Sequence, residues 1–127
     1  MGVDGARLLF VELAKADTSG DYEKAVKIAN KILRQYPKET SAFKCKTVAL
    51  IQLGHFAEAL ALMKKTPSHQ MGECGFEKAY AQYRLNDDNA ALETLSKLDA
   101  SDVRCMELKA QVLYRKGSYE EALLLLR

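Results

Sequence analysis

The chain has 127 residues, 48% of them hydrophobic, with 19 Lys and Arg against 17 Asp and Glu and a net charge of +2. That suits one modest domain, and the charge is too small to make a nucleic-acid or membrane binder by itself. No apolar stretch approaches the roughly 20 residues that span a bilayer, so membrane insertion is not expected.

The first predicted helix runs through "ARLLFVELAKAD" to Gly20. Its apolar run is broken by Glu12 and Asp17 and no cleavage pattern follows, so it does not read as a secretory leader. Ala6 stands where a myristoylation signal needs Ser or Thr. A second helix opens at Tyr22 and stops before Pro37, since proline ends helices. Lys24, Lys27, Lys31 and Arg34 share one of its faces. They read first as a solvated surface, and alternatively as a stripe for weak RNA phosphate contact.

A third helix leads to Gly54, and a fourth runs from Phe56 towards Pro67. The segment "TPSHQMGECG", Thr66 to Gly75, reads as loop. A fifth helix ends at Asn86 and a sixth follows Asp88. A seventh ends at Gly117, and an eighth, expected to be truncated, closes the chain with "EEALLLLR". Leu123 to Leu126 would normally be covered by a following element, so a longer natural protein is expected, and exposed leucines there could pair two copies as a homodimer. No strand alternation is present. The expected fold is all-α.

A seven-residue pattern recurs at the turns: "GDYEKAV" from Gly20, "GHFAEAL" from Gly54, a degenerate "NDDNAAL" from Asn86 and "GSYEEAL" from Gly117, in steps of 34, 32 and 31. The small residue five places on reads Ala25, Ala59, Ala91 and Ala122. A second small position, earlier in each repeat, holds Thr47, Ala79 and Ala110, with a bulky Leu13 in the first copy. Asp88 replaces the aromatic of Tyr22, Phe56 and Tyr119, so the third turn is expected to be less well packed. A period near 34 with glycine, aromatic and alanine in register is the pattern of tetratricopeptide (TPR) repeats. The repeats fall at about 6–38, 40–66, 72–100 and 103–127, in a single domain with a helical solenoid as its architecture.

Catalytic chemistry is not expected. There is no Gly-rich phosphate loop and no Ser-His-Asp or Cys-His set. His55 opens a helix and reads as surface. His69 and Cys74 are too few for structural zinc, which wants four ligands. Cys45, Cys74 and Cys105 are odd in number and scattered, and read as reduced cytosolic thiols. No cofactor or metal is expected.

What remains is a binding surface. In TPR proteins the first helix of each repeat lines a concave groove. The marker glycine sets the register and places Phe10 in the first repeat, with Arg7 nearby. It places Lys44, Val48, Ile51 and Gln52 in the second, Phe76, Tyr80, Tyr83 and Arg84 in the third, and Glu107, Gln111, Tyr114 and Arg115 in the fourth. Tyr and Arg often carry interface energy. Aromatics at helical spacing can equally be core, which weighs most on Phe76 and Tyr80. The repeated "YR" pairs suggest an extended, partly acidic peptide as ligand. Val48 and Tyr80 stand where co-chaperone TPR domains place clamp residues for a C-terminal carboxylate, which disfavours a chaperone-tail adaptor.

Three segments are more specific than the generic repeat: "ANKILRQYPKETSAFKCKTVALIQLGHFAEAL", "FEKAYAQYRLN" and "ELKAQVLYRKGSYEEAL". They resemble the N-terminal TPR region of the seventy-two-kilodalton subunit family of the eukaryotic signal recognition particle, across about Ala25 to Leu123. The resemblance implies a cytoplasmic, non-catalytic module that docks the sixty-eight-kilodalton partner subunit through a segment near that partner's C-terminus. It also implies indirect association with the particle's RNA, with ribosomes and with the endoplasmic reticulum surface. A generic TPR scaffold for an unrelated peptide, or a self-associating one, is the alternative.

Overall fold

The computed structural model describes residues 2–67 and 74–125. Among them are eight α-helices and no strand. They are α1 (Gly2–Ser19), α2 (Tyr22–Gln35), α3 (Thr40–Gln52), α4 (Phe56–Lys65), α5 (Gly75–Arg84), α6 (Asp88–Ser96), α7 (Val103–Arg115) and α8 (Tyr119–Leu125). The chain divides into two compact units, Met1–Gly72 and Glu73–Arg127, each holding four helices.

The four repeated turns share one hydrogen-bond design. Gly20, Gly54 and Gly117 have φ of 78°, 81° and 91°, and Asn86 takes the same left-handed conformation at 65°. In each turn the next amide reaches back five residues, Asp21 to the Ala16 carbonyl at 2.9 Å, His55 to Leu50 at 2.8 Å, Asp87 to Gln82 at 2.9 Å and Ser118 to Leu113 at 2.8 Å. The marker residue's own amide bonds three residues back. This is the Schellman closure, which satisfies carbonyls left open at a helix end and needs a left-handed residue. Asn86 meets that need because asparagine tolerates the conformation better than other side chains do. The degenerate third copy therefore folds as the other three do. Asp21 and Asp87 then cap the following helices, each side chain accepting an amide N–H at 3.3 Å.

The small positions lie in the packing seams. Ala25, Ala59, Ala91 and Ala122 are all buried, as are Thr47, Ala79 and Ala110. Thr47 hides its hydroxyl by donating to the Phe43 carbonyl at 2.8 Å. In the first unit α1 packs on α2, α2 on α3 and α3 on α4, around Leu13, Ala16, Ala25, Ile28, Ala29, Ile32, Ala42 and Ala49. Leu13, bulky for its position, is simply part of this core. In the second unit α5 packs on α6 and α7, α6 on α7, and α7 on α8. Ala79, Ala91, Leu95, Cys105, Leu108 and Val112 form its centre.

Two expectations are corrected. Gly75 is not loop but opens α5, where a Cβ would come within 2.4 Å of a Leu98 methyl group. The turn at Asp88 is not loosely held. Arg115 reaches back from α7 and fixes it by charge instead of aromatic packing. His69 and Leu126, and most of the expected loop, lie outside the described residues.

Candidate protein-binding site

The groove residues read from the sequence lie on the first helix of each pair, α1, α3, α5 and α7. In the first unit Phe10 is half-buried against the core, Val48 and Ile51 are half-buried, and Lys44 and Gln52 are exposed. In the second unit Phe76, Tyr80 and Tyr83 are half-buried and pack on the core, so each is partly structural. Arg84, Gln111, Tyr114 and Arg115 are exposed.

Each of the three aromatic rings of α5 has an arginine against it. The Phe76 and Tyr80 rings stack with centroids 6.3 Å apart at 18°. Arg104 of α7 lies 4.6 Å over the Phe76 ring. Arg84 donates to the Tyr80 hydroxyl at 2.7 Å and sits 5.7 Å from that ring's centroid. Such cation–ring contacts are weakly favourable at exposed sites.

The two "YR" pairs differ in environment. Tyr83 lies beneath Arg115, whose guanidinium is 3.9 Å from the ring centroid. That guanidinium also donates to the Tyr83 carbonyl at 2.7 Å and forks onto the Asp88 carboxylate, Nε lying 2.9 and 3.3 Å from its two oxygens. The bond to Asp88 raises the Arg115 pKa above its usual value, against a smaller opposing effect of desolvation. Neighbouring Lys116 bonds the Asn89 side chain. Tyr114 is 64% exposed and packs edge to face with Tyr119, their ring centroids 4.9 Å apart. Beside it opens a cavity of roughly 540 Å³, walled by Tyr83, Ala110, Tyr114, Ala122 and Leu123, with Glu107, Gln111 and Arg115 at its edges. Of the residues named from the sequence, the structure brings Tyr83, Glu107, Gln111, Tyr114 and Arg115 together here.

Three participants were not evident beforehand. Asp88 looked like a defect in the aromatic pattern and is Arg115's partner. Arg104 covers Phe76, which no local pattern signals. Leu123 was read as part of an uncovered apolar run and walls the cavity.

Lys24, Lys27, Lys31 and Arg34 are all exposed along α2, with Arg34 bonding the Asn30 carbonyl at 3.4 Å. His55 is exposed 3.9 Å from Glu58. Among the described residues no group of three or more His, Cys, Asp or Glu side chains converges as a metal site would need. Burial pushes the Cys45 and Cys105 thiols above their ordinary pKa, the opposite of an activated nucleophile. No helix among the described residues is long and apolar enough to cross a membrane.

Helix pairs joined by four matching left-handed turns, with small residues at each crossing and aromatic and arginine side chains along the first helices, define a TPR-type repeat protein. The chain belongs to the SRP TPR-like family, whose model of a TPR-like repeat matches residues 18–127. It is 55% identical over 111 residues to signal recognition particle subunit SRP72 of Caenorhabditis elegans, covering 87% of this chain and 18% of that protein. The same subunit of Schistosoma mansoni is 46% identical over 121 residues, covering 93% of this chain and 16% of the relative. That of Homo sapiens is 38% identical over 120 residues, covering 94% and 18%. The chain thus spans less than a fifth of the length of these curated relatives.

Proposed function

We propose that the chain is a non-catalytic interaction module of the signal recognition particle, working in the cytoplasm on ribosomes bound for the endoplasmic reticulum. Its docking face holds a segment near the C-terminus of the sixty-eight-kilodalton partner subunit, and particle RNA is engaged only through that complex. Phe10, Lys44, Val48, Ile51 and Gln52 would serve this role in the first unit. Phe76, Tyr80, Tyr83, Arg84, Gln111, Tyr114 and Arg115 would serve it in the second. The observation that carries the reading is the exposed Tyr114 ring beside an apolar cavity of roughly 540 Å³. An apolar concavity edged by a few polar groups is a common form of binding site, and exposed Tyr is a frequent anchor. Family membership supports the choice of partner.

Isothermal titration of the full chain with the partner's C-terminal segment tests it. Saturable 1:1 binding that Tyr114→Ala weakens by about 2 kcal/mol, the hot-spot scale, supports the reading. Undetectable binding, or binding indifferent to Tyr114, refutes it. Tyr119, Leu123 and Leu124 are 54–64% exposed on α8, which favours self-association as a second reading. Light scattering of the chain alone decides that by giving the mass of a monomer or a dimer.

A further inference from the structure

We propose that the cavity of the second unit selects a basic segment, in which one apolar side chain fills the cavity and an adjacent Lys or Arg pairs with Glu107. This assignment rests on the docking role proposed above and adds the chemistry of what docks. Two charged residues edge the cavity, Arg115 and Glu107. Arg115 looks like a receptor for acid, but its guanidinium is already held by the Asp88 carboxylate and the Tyr83 carbonyl. An acidic ligand would have to displace an intramolecular carboxylate that is in place before it arrives. Glu107 is exposed, and among the described residues nothing pairs with it.

With Arg115 balanced by Asp88, Glu107 sets the sign of the site. The wider surroundings agree. The second unit carries eight Lys and Arg against ten Asp and Glu, a net of −2, whereas the first carries eleven against seven, a net of +4. The walls supply the rest of the selection. Ala110, Ala122 and Leu123 offer apolar surface for an aliphatic side chain, and the exposed Tyr114 ring offers a face on which an arginine could lie. Acidic segments meet Glu107, and the one cation among the lining residues, Arg115, is already held by Asp88, so repulsion adds to selection.

Fluorescence anisotropy of the full chain with two labelled synthetic peptides tests the assignment. Both peptides carry a central Leu, flanked by Lys in one and by Glu in the other. The Lys peptide should bind up to about five-fold tighter at low salt through attraction alone, since an exposed ion pair contributes up to about 1 kcal/mol, and repulsion of the Glu peptide should widen the difference. Glu107→Gln should abolish that preference, and Tyr114→Ala should weaken both peptides. Melting temperatures should match the parent's, as both side chains are exposed. Equal binding, or tighter binding of the Glu peptide, overturns the charge assignment while sensitivity to Tyr114 keeps the docking role standing. Binding of both peptides that ignores Tyr114→Ala overturns the docking role itself. Failure of both peptides, where the partner segment binds through Tyr114, overturns the charge assignment alone.

Discussion

Replacing Arg115 with Ala should destabilise the second unit rather than merely trim a binding face. Three interactions are lost at once. The fork onto Asp88 joins groups whose side chains are 32% and 21% exposed, so it belongs at the upper end of the range for surface pairs, about 1 kcal/mol. The contact with the Tyr83 ring at 3.9 Å adds about 0.5–1 kcal/mol. The bond to the Tyr83 carbonyl at 2.7 Å adds a few tenths after solvent competition. Allowing for overlap, Arg115→Ala should lower the unfolding free energy by about 2 kcal/mol. Urea denaturation followed by circular dichroism measures it. A double-mutant cycle with Asp88→Asn isolates the pair and should return a coupling near 1 kcal/mol. Arg115→Lys should recover little, because a lysine can neither fork onto a carboxylate nor stack flat on a ring. If Arg115→Ala changes stability by less than about 0.5 kcal/mol yet weakens partner binding in a salt-dependent way, the arginine serves the ligand alone and not the fold. The intramolecular clamp would then be wrong.

Asn86→Gly should stabilise the protein by about 0.5–1 kcal/mol, because the position has φ of 65°; Gly54→Ala should cost about as much, although space is open around it. Ala91→Leu should cost about 1–3 kcal/mol by overpacking a fully buried seam, while Tyr114→Ala should shift the melting temperature little and affect partner affinity. Asp102 accepts hydrogen bonds from the Arg104 side chain and amide at the start of α7, and these hold its carboxyl below the usual range. A depressed folded pKa means the stabilisation is complete above the ordinary value of about 3.9 and disappears as pH falls through the folded one. The stability advantage over Asp102→Asn should therefore be present at neutral pH and close only in acid, as pH-dependent melting would register. RNA binding by the chain alone should be weak, with a salt slope no steeper than about four, set by Lys24, Lys27, Lys31 and Arg34; tight binding in high salt would show that the α2 face does more.

The repeat class was legible in the sequence because its determinants are local and periodic. A left-handed turn needs glycine or asparagine wherever it occurs, and Gly20, Gly54, Asn86 and Gly117 announce it at a fixed spacing. A close helix crossing needs a small side chain, and Ala25, Ala59, Ala91 and Ala122 supply it. Family membership followed from the same segments. Gly75 was misread because nothing local shows that Leu98 lies over it. The character of the binding face was beyond reach for a related reason. The repeated Tyr-Arg pairs are identical as text, yet packing of α7 against α5 and α6 carries Arg115 onto Asp88, 27 residues earlier in the chain. Arg84 instead turns back to Tyr80 on its own helix. The order of residues sets which charges the chain carries, while the packing of its helices determines which of them cancel, because cancellation depends on distances of a few ångströms between helices. That left Glu107, not the arginines, to set the sign of the cavity.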